Sequence, residues 1–331
     1  MSWVLLAPGH VLKLKKPVRT AFLDFSTPLA RLHDCREEQR LNARLAPGVV
    51  LGVYALHWDG TRLHLRPDAR EQEHPATLVD AAVHMRRLPE ARVLERLLRA
   101  RALGDDATGW QAVDALAQVL VDFYRQAPRA RVDPRTHLAR QRRELAIDRA
   151  VLAPAQADTA AAPRPQWPGL PEAPVLLARA EQALECAAPA LRARVQGGHL
   201  VDGHGDLRPE HVYLLERPLV IDALEFNAAL RQVDPLDELA GLGLECERLG
   251  APWIGPRLLA RCADVVGGPP DPALLALYRL LRALRRARLA LVHLREPAVR
   301  QPARWVPRAR SYLRLVTPAS ACASSGAALT T

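Results

Sequence analysis

The chain has 331 residues, of which 49% are hydrophobic and 25% charged, and these proportions exclude a disordered or fibrous protein. No run of eighteen uncharged apolar residues occurs, so we expect no membrane-spanning helix and no membrane partner. The five cysteines lie far apart without CxxC spacing, which argues against a zinc site and against a disulfide framework. Because the first residues also lack a secretory signal pattern, we expect a cytoplasmic protein.

The formal net charge of +10 comes almost entirely from arginine. The chain uses arginine at nearly every position with a cationic side chain, which indicates a compositional bias rather than a binding surface. We therefore interpret the arginines as solvent-exposed surface residues and do not expect nucleic acid as a partner. Lysine occurs only at Lys13, Lys15 and Lys16. Three lysines within four residues indicate chemistry that needs a compact ammonium group, with chance clustering as the alternative.

The first ninety residues predict strands around one helix. Alternating apolar residues and turn dipeptides predict hairpins over 3–7 with 11–15 and over 49–57 with 62–66, and a strand over 78–85. Thr27 followed by Pro28 is typical of a helix start, and Pro47-Gly48 of a stop, so a helix is predicted over 28–45.

The remainder of the chain is mainly helical in pattern. The predicted helices are 109–125, 134–150, 175–195 and 272–296, with a proline-rich loop over 154–174 and short strands over 199–201, 212–215 and 219–222. We therefore predict an α+β fold. Its domains are a strand-rich lobe over 1–90, a helical lobe over 91–316 and a disordered tail over 317–331, with a cleft between the lobes.

The stretch from His204 to Asp222 carries the most informative residues. A three-residue loop pairs Leu215 with Leu219, and this register places His211 beside Asp222. The segment thus places Asp206, His211 and Asp222 together at the open end of the hairpin, opposite its loop. Two carboxylates and a further ligand at a strand end are suited to holding a metal and an acceptor hydroxyl during phosphoryl transfer.

These motifs, in order, resemble the aminoglycoside phosphotransferase-like branch of the protein-kinase-like superfamily. The resemblance rests on His204-Gly205-Asp206-Leu207, the short hairpin, the IDxxEF segment 221–226 and the VDPLDELA segment 233–240. The nearest likeness is to an uncharacterised bacterial group with segments like 13–18, 22–27 and Arg40-Leu41-Asn42 here. It covers about residues 2 to 288 and implies a two-lobed kinase-like fold, with a strand-rich, nucleotide-binding N-lobe and a catalytic, acceptor-binding C-lobe.

The resemblance implies roles for particular residues. Asp206 would be the catalytic residue that orients the acceptor hydroxyl and takes its proton, and Asp222 would bind the metal. Lys13 would hold the nucleotide phosphates, with Lys15 as the alternative because both side chains point to one sheet face. Glu38 would pair with that lysine from the helix face that also carries Leu41, Asn42 and Leu45.

The remaining implied contacts lie further along the chain. A hinge over 83–88 that includes Met85 would contact adenine through its backbone. Tyr278, Arg282 and Arg286 form one helical stripe that would bind an anionic acceptor, or else is a solvated face. Asp234 and Asp237 are interpreted as structural, and His204 as a hydrogen-bonded support.

Three departures from the family pattern affect the site. His211 stands where the family usually has an Asn metal ligand, and Asn227 or Glu225 are the alternatives. No glycine-rich phosphate loop exists, so only the turn over 6–10 is available to cover the phosphates. Relatives often carry a P-loop kinase domain, whose GxxxxGK[ST] motif is absent here, so a separate P-loop kinase is a potential partner.

The sequence therefore predicts an ATP-dependent phosphotransferase with Mg²⁺ or Mn²⁺ as cofactor. Its expected acceptor is a hydroxyl of a small, potentially anionic molecule. Two alternatives stay open. One is a pseudokinase-like nucleotide-binding or scaffolding protein, and the other is a basic protein that binds polyanions or nucleic acid.

Overall fold

The structure is a computed structural model that describes residues 2–19, 23–68, 77–153, 169–295 and 299–317. Most of the predicted proline-rich loop (154–168), the expected end of the last long helix at Glu296 and the tail from 318 onward lie outside the described residues. Within the described ranges, none of the helices is both long and apolar enough to cross a membrane.

A five-stranded antiparallel sheet forms the N-terminal lobe. Its strands are β1 (Ser2–Ala7), β2 (His10–Lys15), β3 (Val50–Trp58), β4 (Leu63–Pro67) and β5 (Leu78–Arg86), in the spatial order β1-β2-β5-β3-β4. Each coincides with a predicted strand to within two residues. Lys13 of β2 lies directly between Val4 of β1 and Val83 of β5, so these three side chains share one face.

The helix α1 (Pro28–Asn42) covers that face of the sheet. As predicted, Thr27 caps it, because the Thr27 hydroxyl accepts the backbone N–H of Ala30 at 3.2 Å. Leu32 and Cys35 of α1 belong to the same buried cluster as Val53 and Val83 of the sheet. The apolar stripe of α1 thus fixes which sheet face is buried, and Lys13 lies on this inner face.

The rest of the described chain is helical, with short two-residue strands near the site. The helices are α2 (Leu94–Arg99), α3 (Ala107–Gln126), α4 (Pro134–Leu152), α5 (Ala173–Cys186), α6 (Ala188–Gln196), α7 (Ala228–Arg231), α8 (Pro235–Arg248), α9 (Ile254–Arg261), α10 (Ala263–Val266), α11 (Pro272–Val292) and α12 (Trp305–Arg314). The strands are β6 (Val201–Asp202), β7 (Val212–Tyr213), β8 (Leu219–Val220) and β9 (Gln232–Val233).

The structure corrects two sequence predictions. The helix predicted over 175–195 is two helices, α5 and α6, because Pro189 in the first turn of α6 has no N–H with which to continue α5. The predicted hairpin register is also wrong. Val212 pairs with Val220 rather than Asp222, because Leu214 leaves the ladder and donates its N–H to the carbonyl of Arg92 at 2.8 Å.

Contacts divide the chain into two compact units. The first consists of Met1–Arg140 and Cys186–Arg279, and it contains the sheet, α1 and all the short strands. The second consists of Gln141–Glu185 and Leu280–Thr331, and Arg288 forms ion pairs there with Glu144 and Asp148. The predicted α+β class, a small sheet lobe followed by a helical lobe, is confirmed. The lobe boundary at residue 90 stays a prediction.

Candidate active site

The loop between β6 and β7 carries Asp206 and depends on Gly205. The φ angle of Gly205 is +88°, in the left-handed region, and a Cβ there would lie 2.9 Å from the Cβ of Leu224. Only glycine satisfies both conditions. The turn leaves the side chain of Asp206 36% exposed, at the wall of a cavity.

His204 lies beneath this loop and supports it. Its Nδ1 accepts the N–H of Asp206 at 3.3 Å, and its Nε2 donates to the carbonyl of Ile221 at 3.0 Å. Burial, with a further contribution from His211, lowers the pKa of His204 to about 4. The ring is therefore neutral at pH 7, as these two hydrogen bonds require, and it is suited to the supporting role that the sequence suggested.

Glu238 of α8 fixes the same loop from the other side. Its buried carboxylate accepts the N–H groups of His204 at 3.2 Å and Gly205 at 2.5 Å, together with the hydroxyl of Tyr124 at 2.9 Å. Sequence analysis gave Glu238 no role. An acidic residue four places after Asp234 on a largely buried helix was the available signal, because a buried carboxylate needs donors.

Asp234 has the structural role that we inferred. It caps α8 by accepting the N–H of Leu236 at 2.9 Å, and it forms an ion pair with Arg194. Tyr278 donates its hydroxyl to the same carboxylate at 3.0 Å and is only 2% exposed. This burial argues against the predicted contact between Tyr278 and an acceptor molecule, because the phenol is already used inside the protein.

The other two residues of the predicted acceptor stripe, Arg282 and Arg286, belong to the second compact unit. There the guanidinium of Arg286 lies 5.8 Å from the ring centre of Tyr312. Their contact with an anionic acceptor stays a prediction.

The structure brings together Lys13, Glu38 and Asp222 from three separate parts of the chain. The Nζ of Lys13 lies 2.9 Å from Oε1 of Glu38 and 2.6 Å from Oδ1 of Asp222. Glu38 is buried, whereas 43% of the Asp222 side chain is exposed. In protein kinases, a strand lysine paired with a helix glutamate in this way contacts the nucleotide phosphates.

Lys15, two residues along the same strand face, is enclosed. Its side chain is 1% exposed, and its ammonium contacts Asp34 at 2.9 Å, Glu38 Oε2 at 2.6 Å and Glu225. Glu38 thus uses one oxygen for each lysine. Between Lys13 and Lys15, which the sequence could not separate, only Lys13 lies at the cavity, so Lys13 is better placed for a nucleotide.

The two lysines and the carboxylates around them change one another's pKa values. Burial alone would lower the pKa of both ammonium groups, but the surrounding carboxylates outweigh burial and raise both. Burial would raise the pKa of Asp222, but Lys13 holds it well below the usual value. Glu225 differs, because burial raises its pKa to about 7 against the opposing effect of Lys15. The single positive charge of Lys15 does not balance the negative charges of Asp34, Glu38 and Glu225.

Asn42 holds Asp222 in an uncommon backbone conformation. Asp222 has a φ angle of +65°, which few residues other than glycine adopt, and its N–H donates to Oδ1 of Asn42 at 2.7 Å. The amide nitrogen of Asn42 in turn donates to the carbonyl of Glu38 at 2.8 Å. Sequence analysis placed Asn42 in a motif and on the helix face of Glu38 but gave it no role, although a buried amide on that face was a usable signal.

His211 lies beside Asp222, as predicted, although by a different register. Nε2 of His211 is 3.6 Å from Oδ2 of Asp222, and Nδ1 lies 2.9 Å from the backbone carbonyl of Asp206. Because a carbonyl only accepts, Nδ1 is the donor in this contact, and Nε2 is the ring nitrogen that faces Asp222. A metal-binding histidine commonly donates its other ring N–H in this way.

The donor set fits a metal that arrives with phosphate groups rather than a resident metal. The described residues include no group of three or more His, Cys, Asp or Glu side chains arranged to hold an ion. Asp222 and His211 supply two donors, and Mg²⁺ in kinases commonly takes its remaining ligands from phosphates and water. The alternative ligands fit less well. Glu225 is paired with Lys15, and Asn227 caps α7 by accepting the N–H of Ala229.

A cavity of about 260 Å³ lies beside Lys13, Asp206 and Asp222. It is lined by Ser2, Val4, Lys13, Phe25, Asp206, Asp222, Leu224, Glu225 and Phe226. The turn over 6–10, expected to cover the phosphates, is not among these residues. It lies at the opposite end of the hairpin, where Gly9 accepts the N–H of Arg87 at 2.9 Å.

Met85, the predicted adenine contact, is buried in the sheet. It lies between Val11 of β2 and Val50 of β3, and its side chain belongs to the core. The N–H of the next residue, Arg86, already donates to Val49 at 2.8 Å. The side chain of Met85 is thus part of the core, and backbone contact between adenine and the hinge over 83–88 stays a prediction.

Comparison with known sequences gives relatives without an assigned activity. No family model matches this chain. Three uncharacterized proteins, from Mycobacterium bovis and from two strains of Mycobacterium tuberculosis, are each 30% identical over 295 residues. The similarity covers 87% of this chain but 53% of each relative, so the chain spans about half the length of the curated relatives it matches.

Solved structures with a similar fold include two aminoglycoside phosphotransferase complexes. The GDP complex of wild-type aminoglycoside 2'-phosphotransferase-IIIa is 16% identical, with 95% of this chain and 88% of that chain covered and a TM-score of 0.49. The GDP and kanamycin complex of APH(2")-IIia is 14% identical, with 95% and 89% covered and a TM-score of 0.48.

An ethanolamine kinase of Plasmodium vivax is also similar in fold. It is 8% identical, with 93% of this chain and 75% of that chain covered and a TM-score of 0.44. At these identities, the likeness does not indicate what this chain binds or acts on.

Proposed function

We propose that this chain is an ATP-dependent phosphotransferase that phosphorylates a hydroxyl group of a small molecule. The observation that carries the proposal is the convergence of Lys13, Asp222 and Asp206 on one cavity, with Glu38 buried behind the lysine. The three groups come from β2, the segment after β8 and the loop after β6. An ion pair with a purely structural role would not require Lys13, Asp206 and Asp222 to line the same open cavity.

The side chains suit the steps of phosphoryl transfer. Lys13 would bind the nucleotide phosphates, and Glu38 would keep its ammonium in position. Asp206, partly exposed and held by its own N–H bond to His204, would accept the proton of the acceptor hydroxyl. Asp222 and His211 would hold a Mg²⁺ or Mn²⁺ ion, which when bound would neutralise charge on the phosphates.

The first experiment asks whether a nucleotide binds. ATP with Mg²⁺ or Mn²⁺ is expected to raise the melting temperature, because a ligand at 100 times its Kd stabilises the folded state by about 2.7 kcal/mol. Asp222→Asn should abolish the metal-dependent part of the shift, whereas Asp264→Asn, at a highly exposed position, should not. The absence of a shift with either metal at millimolar ATP would contradict the proposal.

The second experiment asks whether the phosphoryl group moves. Incubation with ATP, metal and a pool of metabolites, followed by phosphorus NMR, should show a new phosphate ester. Asp206→Asn should abolish the ester yet keep the nucleotide-induced melting shift. If the wild-type protein binds ATP but forms no ester with any pool, the pseudokinase-like alternative replaces the proposal.

A further inference from the structure

Asn42 closes a ring of four contacts beside the cavity. In this ring, the ammonium of Lys13 contacts Glu38 at 2.9 Å and Asp222 at 2.6 Å. The buried amide of Asn42 joins the backbones of the same two acids, because it donates to the carbonyl of Glu38 at 2.8 Å and accepts the N–H of Asp222 at 2.7 Å. One side chain of α1 therefore links the acid behind the lysine to the acid proposed to bind the metal.

The end of α1 does not itself require this amide. Its backbone groups have backbone partners, since the carbonyl of Asn42 accepts the N–H of Ala46 at 2.7 Å. Within the helix, the carbonyl of Glu38 also lies in position to accept the backbone N–H of Asn42. The side-chain contact with Glu38 instead fixes the amide. Because Nδ2 is its only donor, Oδ1 is the atom that faces Asp222.

The backbone of Asp222, by contrast, depends on a remote partner. Its φ angle of +65° lies in the left-handed region, which side chains other than glycine rarely adopt. Arg101 has a similar φ of +52°, but it follows the end of α2 and donates its N–H to the nearby carbonyl of Leu98 at 3.1 Å. The N–H of Asp222 goes to a side chain 180 residues earlier. Backbone conformations of this kind, held by the surrounding structure, are concentrated at functional sites.

We propose that Asn42 is a positioning residue for the metal ligand Asp222, a role that rests on the proposed function. By holding the N–H of Asp222, it directs Oδ1 of the carboxylate toward Lys13 and leaves Oδ2 3.6 Å from Nε2 of His211. The carboxylate thus lies between the phosphate-binding lysine and the second metal ligand. Because Glu38 belongs to the same ring, the metal-binding and phosphate-binding parts of the site are coupled through α1.

Calorimetric titration of ATP with and without Mn²⁺ tests this role. Asn42→Ala should weaken Mn²⁺-dependent ATP binding about tenfold, because loss of the hydrogen bond lets Asp222 leave the conformation that suits the metal. ATP binding without metal should stay nearly unchanged, since Lys13 keeps its direct contact with Glu38. Thr27→Ala is the matched control. It removes the cap at the start of α1, so it should lower the melting temperature without changing the metal dependence.

The outcomes separate this role from a structural one and from the proposed function. If Asn42→Ala weakens ATP binding equally with and without Mn²⁺, or if Thr27→Ala changes the metal dependence as much, the amide only stabilises α1 and the proposal is wrong. Unchanged metal dependence in Asn42→Ala would overturn the role of Asn42 alone. A wild-type protein that binds no ATP with either metal would contradict the proposed function itself.

Hydrogen exchange in the wild-type protein protects the test against a variant that does not fold. If Asp222 is coupled to the end of α1, Mn²⁺ with ATP should slow amide exchange over residues 38–46 more than ATP alone does. The first turn of α1, over residues 28–31, is the internal reference and should exchange equally in both samples. Equal exchange over 38–46 with and without Mn²⁺ would show that the metal ligand and α1 are not coupled, and it would overturn the proposal.

Discussion

Lys13 and Lys15 lie two residues apart on the same strand face, yet their surroundings differ in one decisive respect. Lys13 shares Glu38 with Lys15, but its other partner is the partly exposed Asp222 at the cavity. Lys15 is itself 1% exposed and is surrounded by three carboxylates, those of Asp34, Glu38 and Glu225. Lys13 can exchange its contact with Asp222 for a contact with a ligand in the cavity. Lys15 cannot, because its ammonium is enclosed.

The difference indicates how one short strand serves both binding and stability. A buried ammonium that anchors Glu38 fixes the orientation of that carboxylate before any ligand arrives. The ammonium of Lys13 therefore contacts a fixed Glu38 carboxylate on one side and faces the cavity on the other. We therefore expect the larger stability effect at Lys15 and the larger binding effect at Lys13. Three measurements test this difference, and a fourth tests the metal site beside Lys13.

The largest expected effect is on Lys15. Lys15→Met removes the cation that Asp34, Glu38 and Glu225 share and leaves only Glu38 with a second lysine, so the free energy of unfolding should fall by about 3–5 kcal/mol. Urea denaturation measures this. Lys16→Met is the control, because Lys16 lies beside Trp3 rather than among carboxylates, and it should change stability little. A Lys15→Met protein as stable as the wild type would break the comparison.

The next effect is a pH dependence from Glu225. Its pKa is about 7 in the folded chain, above the usual 4.5. Between those values the folded state binds more protons than the unfolded state, so stability falls as pH rises from about 4.5 to about 7, by on the order of 1–3 kcal/mol. Glu225→Gln should remove this slope relative to the wild type, whereas Glu181→Gln, at an exposed position, should keep it. Equal slopes in wild type and Glu225→Gln would show that Lys15 compensates all three carboxylates.

A smaller effect on stability, with a clear effect on binding, is expected at Lys13. In Lys13→Met, Glu38 keeps its contact with Lys15 and Asp222 is open to solvent, so the loss of stability should be about 1 kcal/mol or less. The affinity for ATP should fall roughly 10–100-fold, because a charge-assisted bond to phosphate contributes about 1.5–3 kcal/mol. Calorimetric titration measures this. Unchanged affinity would remove Lys13 from the nucleotide site.

The smallest effect concerns the choice of metal at His211. Because Mn²⁺ accepts a nitrogen ligand more readily than Mg²⁺, the wild-type melting shift with ATP should be a few-fold more sensitive to Mn²⁺. His211→Asn replaces nitrogen by an amide oxygen and should reverse that preference. The same ranking in both proteins would show that the imidazole is a bystander and that Asp222 binds the metal without it.

Much of the site could be predicted because its residues lie in short local motifs. Gly205-Asp206 needs a left-handed glycine, and the sequence shows both residues side by side. The likeness to a known family implied Glu38 as the partner of a strand lysine, and the structure places that contact at 2.9 Å. The roles of these residues stay predictions until nucleotide binding is measured.

Other parts could not be predicted because they depend on distant partners. Tyr278 shares a helical stripe with two arginines, but its hydroxyl is committed to Asp234, which is 44 residues away in sequence. The register of β7 is set by Leu214 donating to Arg92, a residue more than one hundred positions earlier. Periodicity along one element does not specify which remote group will satisfy a polar atom.

The sequence by itself determined the strands of the sheet, the cap of α1 and the loop glycine, because each depends on neighbours within a few residues. Only the tertiary structure decided which lysine is enclosed and which faces the cavity. The period of a strand places Lys13 and Lys15 on the same face, and the choice between them depends on where Glu225 and Asp222 arrive from the other end of the chain.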